Sequence, residues 1–103
     1  MRRGEVWWAE LPAPAGQRPV VLLSRNEAYA VRELVIVAPI TTRRRRIASE
    51  VSLDRADGLP RRCVANLDTI TTIPKRVLTR RIAALAPEKV AAVDRALRFA
   101  VGL

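Results

Sequence analysis

RPVVLLSR (residues 18–25) and, eight residues further on, LVIVAPITT (34–42) decide the fold. Each is a short run of branched aliphatic side chains bounded by polar or turn-forming residues, the pattern of a buried strand. Side chains alternate along a strand, so the unbroken VVLL at 20–23 implies a core on both faces of its sheet. Pro19 stands at the start of its strand, where no ladder N–H is lost to the interior. Residues 26–33 are polar and have room for a helical turn. Neither run is long enough to cross a bilayer.

Working outward, GEVWWAEL (4–11) reads as an aromatic strand, with APAGQ supplying the turn after it. Trp7 and Trp8 must point to opposite faces: one is expected in the core, the other on the sheet surface or at a dimer interface. ASEVSLD (48–54) alternates with period two, which sets Glu50 and Ser52 opposite Val51 and Leu53. RADGLP (55–60) is a turn, RRCVANLDTI (61–70) a further strand and TRRIAALA (79–86) the last one. Pro87 suits the first position of a helix, and Val90, Val93, Leu97 and Val101 recur at helical spacing, with Asp94 and Arg98 as an i,i+4 pair opposite. The expected fold is therefore mainly β (α+β): one domain over residues 1–103, a small barrel-like sheet covered by a C-terminal amphipathic helix.

Charge points to a partner. The chain carries 19 Lys and Arg against 10 Asp and Glu, a net +9. Residues 41–81 hold eleven of the cations and four of the anions, a net +7, with Arg43, Arg44, Arg45 and Arg46 in one block. Such an excess suits a polyanion such as nucleic acid, and also an anionic membrane or an acidic protein. A solvated basic loop is the plain alternative. Arg2-Arg3 is followed by no apolar export segment, and Cys63 is the only cysteine, so a soluble protein of a reducing cytoplasm is expected.

The absences narrow the chemistry. With no histidine there is no Ser-His-Asp triad and no histidine pair for RNA cleavage. One cysteine cannot build the usual zinc site, and no Gly-rich Lys-Ser/Thr loop is present to hold a nucleotide. No metal and no cofactor is expected. RNA suits this restriction because its 2′-hydroxyl is already a nucleophile beside the phosphate. An arginine fork can stabilise the developing charge there.

GEVWWAEL, QRPVVLLSRN, VIVAPITT, VANLDTITTI and the C-terminal helix, in that order, together resemble the MazF/PemK family of toxin endoribonucleases. The resemblance runs from Gly4 to Leu103. It implies an SH3-like barrel, a homodimer and metal-independent cleavage of single-stranded RNA at short sequences. The RNA would be messenger RNA, with transfer or ribosomal RNA as further candidates, and the ends 2′,3′-cyclic phosphate and 5′-hydroxyl. It also implies a cognate acidic antitoxin. Its essential arginine falls on Arg18 and its essential threonine on Thr41. Gln17, Thr42 and Arg43–Arg46 would line the RNA, and Asp68 and Thr69 would read bases. From residue chemistry alone, Arg18 is an ordinary strand-end charge, Thr41 and Thr42 are good strand formers, and Asp68 caps a turn over 69–72. Cys63 reads as a small core residue. The loop before Arg18 is only PAPAGQ and lacks the family's glutamate, which leaves Glu10, Glu50 or water as the base. The same barrel also suits a gyrase-inhibiting toxin or a non-catalytic RNA-binding module.

Overall fold

The computed structural model describes residues 1–103. Strands β1 (Glu5–Glu10), β2 (Gln17–Leu22) and β3 (Leu34–Thr41) form an antiparallel meander, with a single helical turn, α1 (Ala28–Val31), between the last two. β4 (Glu50–Leu53), β5 (Cys63–Asn66), β6 (Thr71–Pro74) and β7 (Leu78–Ala84) follow, and α2 (Pro87–Val101) ends the chain. The sheet runs β4-β5-β3-β2-β1-β7. On the edge of β3 away from β2, Leu34–Val37 pair with β6 while Ile40 and Thr41 pair with β5.

The two-faced burial expected of VVLL is realised. Val20 and Leu22 enter one cluster with Ala9, Tyr29, Val35, Val37 and Ile73. Val21 and Leu23 enter the other, with Val6, Ala38, Ile40, Val51 and Leu53, and α2 closes it through Val93 and Ala96. Val51 and Leu53 are buried while Ser52 is exposed, as the alternation requires. Pro87 is the first residue of α2, and Gly102 ends the helix in the left-handed conformation.

Three expectations need correcting. RRCVANLDTI is not one strand: it breaks after Asn66, whose side chain accepts from the Asp68 N–H and starts a 3-10 turn over Leu67–Thr69. Asn66, not Asp68, is therefore the cap, and TTIP beyond it forms β6. Asp94 does not turn to Arg98 but meets Arg3 at 2.7 Å. The N-terminal segment passes over the helix, a long-range contact that outweighs the local one.

Glu5 is a buried carboxylate with its own donors: the Arg2 N–H at 3.0 Å, Trp7 Nε1 at 2.9 Å and Arg81 at 3.3 Å. Burial pushes its pKa up, and the hydrogen bonds from Trp7, Arg2 and Arg81 more than reverse this, leaving it below the usual carboxylate range.

No ladder joins the outer strands β4 and β7. The turn after β4 packs on β7 instead: a Cβ on Gly58 would lie 2.7 Å from Ala83 Cβ, and Gly58 has φ +94°. The turn after β4 thus meets the last strand at a point only glycine fits. Gly58→Ala should destabilise the protein by roughly 1–3 kcal/mol through clash and left-handed strain. Chemical denaturation checks this, and an unchanged midpoint would show that the contact adds nothing to stability.

Candidate active site

The β2–β3 ladder pairs Val20 with Pro39, Val21 with Ala38 and Leu22 with Val37. The ladder ends there: beyond it Arg18 pairs with Ala9 of β1 and Thr41 with Val64 of β5. Arg18 shares a strand face with Val20, and Thr41 with Pro39, so the Val20–Pro39 pair turns a basic and a hydroxyl side chain to the same side of the sheet. Both line an open cavity of about 770 Å³, together with Gln17, Thr42, Trp8 and Arg61. Its floor is apolar: Val20, Val37, Ile40 and Ile73. Low polarity there strengthens any charge interaction with Arg18.

The Thr41 hydroxyl oxygen accepts from the Arg43 N–H at 3.2 Å. One lone pair is thereby occupied, and the hydroxyl proton is left to be donated. No carboxylate lines the cavity. Glu10 is exposed on the β1–β2 hairpin, where it pairs with Gln17. Glu50 is turned the other way, its Oε1 accepting from the N–H groups of Arg45 (2.9 Å) and Arg46 (3.1 Å). That carboxylate ties down the arginine loop, in which Arg46 takes a positive φ of 57°.

Of the residues singled out in the sequence, Gln17, Arg18, Thr41 and Thr42 come together on the cavity wall. Arg43, Arg44, Arg45 and Arg46 are all exposed on the loop beyond and do not line it. Asp68 and Thr69 are exposed on the 3-10 turn after β5, also outside the cavity, where the Asp68 carboxylate accepts from Ser49 Oγ. Trp8, expected in the core or on an outer surface, is half-buried on the cavity wall, while Trp7 packs into the core cluster around Val20. Cys63 lines the cavity as well as the core, but burial pushes its thiol up, and the Asp57 and Asp54 carboxylates add to this. It remains a protonated wall residue. Arg61 escaped the sequence reading because Arg-Arg before a strand reads as solvated charge, and its position in the cavity depends on the turn that precedes it.

Similarity to known proteins identifies the family. Residues 2–101 match the family described as PemK-like, MazF-like toxin of type II toxin-antitoxin system. The chain belongs to this family. It is similar to the probable endoribonuclease MazF5 of Mycobacterium tuberculosis, 45% identical over 100 residues that cover 96% of this chain and 91% of the relative. The probable endoribonuclease MazF2 of the same species is 37% identical over 103 residues, 99% of each chain. Among solved structures, the Mycobacterium tuberculosis toxin MazF-mt6 superposes with a TM-score of 0.88 at 34% identity, covering 96% of this chain and 97% of that one. A mycobacterial endoribonuclease in complex with its cognate antitoxin also gives a TM-score of 0.88, at 27% identity, covering 100% of this chain and 96% of that one. The mainly antiparallel sheet with a C-terminal helix is thus the MazF fold.

Proposed function

We propose that this MazF-like toxin cleaves single-stranded RNA at short sequences by turning the RNA's own 2′-hydroxyl on the neighbouring phosphate. The observation that carries the proposal is that Arg18 and Thr41 share the wall of a cavity without carboxylates. The 2′-oxygen attacks phosphorus, the P–O5′ bond breaks, and the products are a 2′,3′-cyclic phosphate and a 5′-hydroxyl that takes up a proton. Arg18 forks onto two phosphate oxygens and stabilises the charge of the five-coordinate transition state. Thr41, its oxygen already accepting from Arg43, donates its proton to a phosphate oxygen. An arginine cannot deprotonate the 2′-hydroxyl at neutral pH, and no acid in the cavity does so, which assigns that proton to water or to the phosphate itself. No metal or cofactor enters the scheme.

The flanking contacts belong to the same reading. Gln17 and Thr42 lie beside the pair and contact the strand as it enters. Asp68 and Thr69 offer an acceptor and a hydroxyl for base edges, the source of sequence selectivity. Arg43–Arg46 follow the phosphates beyond Thr42. A homodimer and a cognate antitoxin complete the proposal. The related mycobacterial endoribonuclease was solved with its cognate antitoxin, and the net +7 of residues 41–81 suits an acidic, extended segment of such a partner.

Arg18→Ala and Thr41→Ala should each lower cleavage of a labelled single-stranded RNA by about 100-fold or more while circular dichroism shows an unchanged fold. Near wild-type rates in both would remove the assignment. Replacing Arg43–Arg46 by Gln should flatten the dependence of RNA binding on salt, by about 0.7 in log–log slope for each phosphate that the loop no longer holds. A constant slope would return the run to a solvated loop. An acidic antitoxin peptide and a non-cleavable RNA should compete. A ternary complex with both bound at full affinity to one protomer would contradict a shared site.

A further inference from the structure

We propose a second anion site beside the cavity, in which Arg55, Arg61 and Arg62 hold a phosphate of the same RNA strand that flanks the scissile one. The inference rests on the endoribonuclease reading and extends its footprint to the turn between β4 and β5. A second open cavity of about 700 Å³ is lined by Thr42, Asp54, Arg55, Ala56, Arg61 and Arg62. Thr42 and Arg61 line both cavities, so a strand leaving the Arg18–Thr41 pair passes between them into the second.

The acid there is not a partner for the three arginines. Asp54 Oδ1 accepts from the Ala56 N–H at 2.9 Å as the cap of the 3-10 turn Arg55–Asp57. Asp57, its companion in the capping box, accepts from the Asp54 N–H at 3.0 Å and faces Lys89 at 3.7 Å. The ion pairs of the protein are Arg3–Asp94, Arg81–Glu5 and Lys89–Asp57, and none involves Arg55, Arg61 or Arg62. Arg55 Nε donates to the Pro60 carbonyl at 3.2 Å, which braces its guanidinium across the turn. Three arginines thus line one concavity against a single carboxylate, Asp54, which forms an ion pair with none of them, and an anionic ligand offsets the remaining positive excess.

The lining also discriminates between ligands. Ala56 is its one apolar residue, so there is no pocket for the anchoring side chains a bound peptide uses. A sugar–phosphate backbone needs only cations and hydroxyls. The two cavities together then fix the direction and register of the strand, and phosphate contacts position the bases that are read elsewhere.

The test uses R55Q/R62Q, which leaves every residue of the first cavity in place. Two substrates are compared: a short RNA whose only internal phosphate next to the selected sequence is the scissile one, and a longer RNA with flanking phosphates. The variant should cleave the short RNA as wild type does and show a KM at least about tenfold higher on the long one, with kcat unchanged. Binding of a long RNA carrying a 2′-deoxy block at the cleavage site should show a log–log salt slope shallower by about 0.7 for each phosphate that the variant leaves free. Equal KM values and slopes for variant and wild type would overturn the proposal. So would unchanged RNA binding with weakened binding of an acidic antitoxin peptide, which would make the concavity a protein-binding surface. Should the wild type cleave no RNA, the endoribonuclease reading fails separately, and the slope measured on blocked RNA still decides whether the site exists.

Discussion

The register of β2 against β3 is the constraint on which the site depends. A slip of one residue would displace Arg18 by about 3.3 Å and turn it to the other face of the sheet. Hydrophobic patterning of β2 does little to prevent such a slip, because Val20 to Leu23 are all apolar and buried. The register is pinned at the opposite end from the site. The Leu23 N–H donates to the Ile36 carbonyl at 2.9 Å, and the Ile36 N–H donates to Ser24 Oγ at 2.8 Å. A buried hydroxyl thus ends the ladder where the chain leaves for α1, and the pairing runs from there to Val20 and Pro39, two residues short of Arg18 and Thr41.

Charge is the second constraint. Most carboxylates are engaged in structure: Glu5 with Trp7, Arg2 and Arg81, Glu50 with the arginine loop, and Asp54 and Asp57 with a helical turn. Glu50 shows how the two signs divide the labour. Its carboxylate holds backbone N–H groups, so the loop is shaped without neutralising the guanidinium groups it presents. The arginines left over repel one another, and the fold tolerates this on exposed loops around the two cavities, where water screens them.

How much of this was legible in the sequence follows from the range of each interaction. Continuous aliphatic runs and a helical repeat are local signals, and β1–β5, β7 and α2 were readable from them. The break at Asn66 was not, because an asparagine inside VANLDTI carries no mark that its side chain will cap the next turn. β6 was hidden in TTIP for the same reason: its pairing with the first half of β3 is a long-range fact. The Asp94–Arg98 spacing was a valid helical pattern overruled by Arg3. Arg18 and Thr41 looked ordinary as residues, and only the family resemblance singled them out. In the structure both line one cavity. Arg61 had no local signal at all.

The central claim is that an arginine and a threonine on the wall of one cavity cleave RNA through its own 2′-hydroxyl. Its most direct test is the chemical identity of the ends left on a single-stranded RNA cut by the purified protein in EDTA, read by mass spectrometry. The account predicts cleavage at a short recurrent sequence, with a 2′,3′-cyclic phosphate on one fragment and a 5′-hydroxyl on the other. Fragments ending in a 3′-hydroxyl and a 5′-phosphate, or cleavage that stops when metal is removed, would contradict it.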